Sequence, residues 1–288
     1  MPKKSVNKRE NKTFIHRVGN KQAIAAEIVS HFPKRISMYV EPFCGLLSIF
    51  DEVRNKYEDC QYFILNDADS NIHTLFNDII IKGRDAELQK NIENILVSSE
   101  NLENLRQNKN VYSFDDAMFK AIRFIFMQTY TLRSGAGSIR FSIGNEKKNL
   151  LEKFEKWLPY WREALKFAKF QNKMCHEFLS AMTFRSDAER NRTFIYCDPP
   201  YINTYNSYLR DENGSEIKKS WDETDLDKML SKLCEMRVQF AVSEFKNEKT
   251  VALAEKHGLL VSDILERRNV TNDHQIEILI HSNYDRYE

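Results

Sequence analysis

Apolar positions along this 288-residue chain follow two rhythms, one of period near four and one of short unbroken runs. Ile24, Ile28 and Phe32 fall at four-residue spacing ahead of Pro33, which predicts a helix from about residue 20 to residue 31. Ile36-Ser37-Met38-Tyr39-Val40 then reads as a strand, and Ile49, Phe50 and Val53 mark a second helix. Tyr62-Phe63-Ile64-Leu65 reads as another strand, closed by Asn66-Asp67. Strand, turn, helix and strand in that order form the opening half of a nucleotide-binding α/β unit. From about Ile72 to Lys173 the pattern is mostly helical, interrupted by the glycine-rich segment Arg133-Ser134-Gly135-Ala136-Gly137-Ser138. After Met174 the alternation returns. Strands are predicted at Thr193–Cys197 and Val238–Val242, with a helix around Asp225–Met236 between them. A final strand pair, about Leu259–Glu266 and Gln275–Ile280, is split by the turn-rich residues 269–273.

Composition narrows the classes. With 42% hydrophobic and 30% charged residues the chain can bury a core, and its net charge of +1 neither favours nor disfavours nucleic acid. The charge is unevenly spread. Residues 120 to 173 carry 12 Lys and Arg against 4 Glu, with Tyr130, Phe141, Trp157, Tyr160 and Trp161 interleaved. Local basicity among aromatics suits a nucleic-acid surface, because neutralising phosphates supplies much of the affinity. An amphipathic helix around 150–170 with its aromatics in the core explains the same pattern. Five cysteines, odd in number and without C-x-x-C spacing, disfavour a disulfide framework or a zinc site and fit a cytoplasmic setting. No run of about 18 apolar residues is present, so no membrane span is expected. Residues 1–13 are polar and basic and read as a flexible arm.

The most informative segment is Phe194-Ile195-Tyr196-Cys197-Asp198-Pro199-Pro200-Tyr201. An apolar strand stops at an acid because neither proline can donate to a ladder and each locks φ. A carboxylate, a backbone carbonyl free of strand pairing and an aromatic face are thereby gathered at the carboxyl end of a strand, where open α/β sheets bind ligands. Together they can grip a flat heterocycle bearing an amino group. The same four residues also serve as an ordinary strand-ending turn.

In order along the chain, Gly19-Asn20-Lys21, Glu41-Pro42-Phe43-Cys44-Gly45, Asn66-Asp67, Glu177-Phe178, Asp198-Pro199-Pro200-Tyr201 and Glu277-Ile278-Leu279-Ile280 resemble the elements of the DNA adenine methyltransferase (Dam-like) family. The resemblance implies an α/β, Rossmann-like methyltransferase sheet, mostly parallel with a terminal antiparallel hairpin, and a helical target-recognition insertion. It places the catalytic unit at 14–73 and 174–288 and the insertion at 74–173. The implied reaction moves a methyl group from S-adenosylmethionine to N6 of an adenine flipped out of double-stranded DNA, with no metal. Asp198, Pro199, Pro200 and Tyr201 carry catalysis on this reading, and Lys21, Glu41, Phe43, Gly45, Asp67, Glu177, Phe178 and Asp198 surround the cofactor.

Each assignment has a physical counterpart. A glycine turn lets backbone approach a cofactor closely, and Asp67 lies 22 residues past Gly45, where an acid is placed to accept from ribose hydroxyls. Asp67 can equally cap a helix starting at Ser70. Lys21 can reach the methionine carboxylate or lie on the surface. Arg133 and Arg140 are candidate DNA contacts, to guanine or to phosphate. A cognate restriction endonuclease or a second subunit is a further partner consistent with the family.

Two departures matter. Asn20 stands for a glycine and can take its left-handed conformation. Leu47 stands for the second glycine of F-x-G-x-G-S, where a Cβ can crowd the methionine end of the cofactor. That crowding motivates the rival expectation of a DNA-binding subunit with weak or partner-dependent activity. An RNA adenine acceptor is the other alternative.

Overall fold

The computed structural model describes residues 12–15, 19–131, 145–202, 221–268 and 274–287. Arg133, Arg140, the glycine-rich segment, most of the basic arm and the turn at 269–273 lie outside the described residues.

Seven strands form one sheet: β1 (Met38–Glu41), β2 (Tyr62–Asn66), β3 (Ala168–Gln171), β4 (Thr193–Cys197), β5 (Gln239–Phe245), β6 (Leu260–Arg268) and β7 (His274–His281). Their spatial order is β3-β2-β1-β4-β5-β7-β6. The first five run parallel, and β7 pairs antiparallel with both β5 and β6. The mostly parallel sheet with its closing antiparallel hairpin is the architecture expected from the sequence. Chain order reverses between β1 and β4, so the crevice beyond their carboxyl ends is a topological switch point.

Alternation along the strands sends side chains to two separate cores. Tyr39, Phe63, Leu65, Phe194, Tyr196 and Leu279 point to one face; Val40, Ile195, Cys197, Phe240, Val242 and Ile278 point to the other. Burial on both faces explains why these strands read as unbroken apolar runs rather than as alternating ones.

The first face is covered by α1 (Ala25–Ser30) and α2 (Ser48–Lys56), then by a helical stretch. That stretch comprises α3 (Ser70–His73), which continues into a wider π-helical segment Thr74–Ile81, then α4 (Asp85–Asn94), α5 (Ser99–Arg106), α6 (Asp116–Tyr130) and α7 (Glu146–Ala164). The second face carries α8 (Cys175–Ala181), α10 (Glu223–Met236) and α11 (Glu248–Lys256), with the short α9 (Asp187–Asn191) ahead of β4. The predicted helix at 20–31 begins later than expected, at Ala25, and α11 is a helix that the apolar spacing did not announce. It is set instead by a capping box, in which the Asn247 side chain and the Thr250 hydroxyl satisfy each other's backbone N–H.

The sequence pattern gives all of 74–173 to an insertion, but β3 lies inside those bounds and pairs with β2 from Phe63↔Ala168 to Asn66↔Gln171. The helices of this stretch also share one core with the sheet. Phe14 meets Phe154 edge-on at 5.1 Å, and Phe76 stacks on Phe170 of β3 at 6.1 Å. Strand β3 escaped notice because Ala168-Lys169-Phe170-Gln171 is a half-exposed edge whose apolar content is low. α7 is the amphipathic alternative realised: Phe154, Leu158 and Trp161 are buried while Lys148, Lys156 and Arg162 are exposed.

All five cysteines are free. No helix among the described residues is long and apolar enough to cross a membrane.

Asn66 ties the loops at the switch-point edge together. Its fully buried amide donates to the Pro42 carbonyl at 2.9 Å and to the Lys173 carbonyl at 3.0 Å, and accepts from the Lys173 N–H at 3.0 Å. Replacing it with alanine strands three backbone groups. Asn66→Ala is expected to destabilise the fold by about 3 kcal/mol in chemical denaturation, the cost of leaving buried donors and acceptors unmade.

Candidate active site

The loops leaving β1, β2 and β4 meet Glu277 of β7 over a cavity of about 930 Å³. Its wall includes Gly19, Asn20, Lys21, Glu41, Phe43, Gly45, Asp67, Asp198, Pro199, Pro200, Tyr201 and Glu277, so residues up to 258 positions apart in sequence converge there (277 minus 19). Helix α10 closes one side with Asp225, Lys228 and Met229, and Trp221 stands at its head, edge-on to Phe43 at 5.7 Å.

The glycine turn is built from its dihedrals upward. Gly45 sits at φ 45°, and its N–H donates to Asp67 Oδ2 at 2.9 Å. A Cβ added at Gly45 would meet nothing within 4 Å, so this backbone faces open cavity space. The other Asp67 oxygen accepts from the Asp69 N–H at 2.8 Å. The helix starting at Ser70 is capped by Asp69, which accepts from the Asn71 N–H, and not by Asp67. Asp67 is thereby left on the cavity wall, at the end of β2.

Leu47 does not crowd the cavity. It adopts the left-handed conformation, φ 63° and ψ 22°, that glycine would supply, and its side chain is fully buried in the core on the first face. The cavity wall passes from Leu46 to Ser48 without it. At Gly19-Asn20 the left-handed conformation falls on Gly19, at φ 86°, and Asn20 keeps an ordinary φ. The Asn20 side chain instead accepts from the Gln22 N–H at 3.0 Å and from the Ser48 hydroxyl, pinning the amino-terminal segment to the glycine loop.

Polar chemistry is concentrated around one ammonium. Lys21, only 7% exposed, places Nζ 2.9 Å from Asp198 Oδ1, 3.6 Å from Glu277 Oε1 and 4.6 Å from the Tyr201 ring centroid. The Tyr201 hydroxyl donates to Glu277 Oε1, and its ring meets Phe245 edge-on at 4.4 Å. Burial pushes the Asp198 carboxyl above the usual carboxylate range, while the Lys21 ammonium pulls it back. Burial also pushes Glu41 well up; it accepts from the Tyr39 hydroxyl at 3.0 Å. Glu244, fully buried beneath, accepts the Ile202 and Phe245 N–H groups and is pushed up to about 8, again chiefly by burial.

Two predicted residues are not brought into the cavity. Glu177 is exposed on α8, and Phe178 is buried in the second core, because α8 turns Cys175, His176 and Leu179 toward the cavity instead. Conversely, Glu244 and Glu277 were not among the candidate site residues. Each is an acid in a mostly apolar strand run, Ala241-Val242-Ser243-Glu244-Phe245 or Glu277-Ile278-Leu279-Ile280, and that contrast is the signal that could have found them.

A family model for the D12 class N6 adenine-specific DNA methyltransferases matches residues 18–270, from just ahead of Gly19 to just past the end of β6. The chain belongs to that family. A Type II methyltransferase, M.FokI of Planomicrobium okeanokoites, is 26% identical over 299 residues, covering 96% of this chain and 43% of its own length. The Retron Ec67 DNA adenine methylase of Escherichia coli is 24% identical, covering 69% of this chain and 67% of its own. A DNA adenine methylase of Vibrio cholerae is 24% identical, covering 67% and 66%. The chain thus spans under half of the first of these relatives and about two thirds of the others. Within the D12 class, the match covers both halves of the switch-point crevice, which the intervening helices separate in sequence.

Two outcomes follow from this geometry. Leu47→Gly relieves a left-handed leucine but empties a buried site, and is expected to cost about 2–4 kcal/mol of stability, read by thermal melting, without widening the cavity. Glu244 is protonated in the fold and ionised in the unfolded chain between pH 4.5 and about 8. Its contribution is therefore full at acid pH and lost as pH rises through that window, at up to about 1.4 kcal/mol per pH unit. Glu244→Gln is expected to flatten this decline when unfolding free energy is measured against pH.

Proposed function

We propose that this chain transfers a methyl group from S-adenosylmethionine to N6 of an adenine in double-stranded DNA. The observation that carries the reading is the position of Asp198-Pro199-Pro200-Tyr201 at the switch point, with its carboxylate facing a cavity shared with the Gly45 turn and Asp67.

The residues present fit the cofactor. The open backbone at Gly45 offers a cradle without a side chain, and buried carboxylates face the cavity where a cationic group would need them. Phe43, Gly45 and Asp67 would hold it, with Glu41 behind them. When bound, it supplies an activated methyl group on a sulfonium.

The work of the chain's own residues is to make the acceptor reactive. An adenine N6 lone pair is delocalised into the ring and is a weak nucleophile. Asp198 accepts a hydrogen bond from one N6 hydrogen and the Pro199 carbonyl accepts from the other, which favours a pyramidal nitrogen whose lone pair is free, and the surplus N6 proton leaves after the methyl group has been transferred. The carboxylate also stabilises positive charge as it develops on nitrogen. Pro200 fixes the extended backbone between acceptor and ring, and Tyr201 offers its face to the base. Holding both partners in line removes most of the entropic barrier. A base within a duplex cannot reach this cavity, so flipping is part of the reading.

The helical stretch α4–α7 is proposed to approach DNA, with Arg133 and Arg140 as contacts. A cognate restriction endonuclease is a further partner, and a cytoplasmic location follows from DNA as substrate. The rival reading, a DNA-binding subunit with weak or partner-dependent activity, draws on Leu47 crowding the cofactor, and the burial of that side chain in the core speaks for the enzyme instead.

Modification-sensitive sequencing of DNA from cells expressing this chain is expected to show N6-methyladenine at one recurrent motif. With Asp198→Ala the signal is expected to fall by about 10²- to 10³-fold or more. A soluble, abundant wild-type protein that leaves DNA unmodified would overturn the reading.

A further inference from the structure

Lys21 is buried where lysines are rarely found, and its nitrogen sits in a defined place. Nζ is 2.9 Å from the first residue of the tetrapeptide, Asp198, and 4.6 Å from the ring centroid of the last, Tyr201. On the reading proposed above, the exocyclic nitrogen of a target adenine must satisfy the same two conditions: donate to Asp198 and lie over Tyr201. One position cannot hold both nitrogens. Asp198 Oδ1 is buried and engaged by the ammonium at 2.9 Å, and the carboxylate keeps further lone pairs with which to accept an incoming donor.

Glu277 lies where the displaced ammonium can go. It is 1% exposed, lies within β7 opposite Phe245, already stands 3.6 Å from Lys21 Nζ, and accepts the Tyr201 hydroxyl. We infer that Lys21 holds the seat of the target amino group in the empty enzyme and that Glu277 receives its ammonium when the base enters, an inference that rests on the adenine-N6 reading.

The physical reason is the cost of an uncompensated buried charge. Without a cation, a carboxylate this deep takes up a proton. A protonated Asp198 would present a hydroxyl to the amino group instead of an acceptor pair. Lys21 keeps the carboxylate ready, and a short swing to Glu277 releases it without moving charge out of the cavity. Glu277 is thus a positioning residue, acting through Lys21 and through the tip of Tyr201. The groups facing Asp198 are Lys21 from the amino-terminal segment, Glu41 of β1, Tyr196 and Cys197 of β4, Tyr201 beyond it, Glu244 of β5 and Glu277 of β7.

The test is single-turnover methylation of a duplex carrying the motif found by sequencing, at mildly alkaline pH, with wild type, Glu277→Gln, Lys21→Met and the double variant. Thermal melts accompany each. Glu277→Gln leaves the ammonium on Asp198 and is expected to raise the half-saturating DNA concentration about tenfold, with the saturated rate within about threefold of wild type. Adding Lys21→Met is expected to restore most of that loss, since nothing then has to be displaced. An unchanged Glu277→Gln, or two losses that simply add, would overturn the inference.

Should Glu277→Gln fail to fold, Lys21→Met decides alone. Its acid limb in kcat/KM, which reports the free enzyme, is expected to move to higher pH, while the acid limb of the saturated single-turnover rate stays. Both limbs moving, or neither, would overturn the exchange. A wild type that transfers no methyl group removes the adenine reading and this inference together. Methyl transfer with the wrong variant pattern removes the inference alone.

Discussion

A sheet covered on both faces leaves its strand ends as the place where polar groups can gather. In this chain β1, β4 and β5 are apolar on both sides, and the acids stand at one edge: Glu41 ends β1, Asp67 follows β2, Asp198 follows β4, and Glu277 of the antiparallel β7 lies opposite Phe245, the last residue of β5. Parallel strands deliver their carboxyl ends to that edge, and the reversal of chain order between β1 and β4 parts the loops there into a crevice. The cavity, the glycine turn and the tetrapeptide are consequences of that arrangement.

Concentrating carboxyls at a half-buried edge has an electrostatic consequence. Glu41, Asp198 and Glu244 all have their carboxyls pushed up by burial, and Lys21 is a buried cation paired with Asp198 and Glu277. Such a site is short of positive charge. That shortage suits a sulfonium-bearing cofactor and a nitrogen that becomes positive during reaction, both of which would be poorly served by a neutral or basic cavity. It also explains how a lysine is accommodated at such depth, where an unpaired ammonium would be costly.

Backbone conformation and side-chain direction can be separated by a single residue, as Leu47 demonstrates. A glycine-rich loop needs left-handed dihedrals at particular positions, and the usual inference is that a larger residue there must obstruct the ligand. Here the dihedral is met and the side chain leaves in the opposite direction, into the core beside α2. The strain of a left-handed leucine, about 1–2 kcal/mol, is smaller than the gain from burying it.

By itself, the sequence determined the strands at Tyr62 and Thr193, the helix ending at Met236, the closing hairpin, and the set Lys21, Glu41, Phe43, Gly45, Asp67 and Asp198–Tyr201. Apolar runs, prolines and glycines act over a few residues, so their meaning is local and can be read locally. Other features depended on neighbours far along the chain. Strand β3 is too short and too exposed to announce itself, and only its pairing with β2 makes it a strand. Glu177 and Phe178 follow a recognisable pattern, yet the rotation of α8 turns their neighbours to the cavity in their place. Glu277 meets its partner Tyr201 from 76 positions away, and Lys21 lies beside both. Which way Leu47 points was likewise decided by the space beneath the loop, because a dihedral specifies a backbone and only packing specifies what surrounds it.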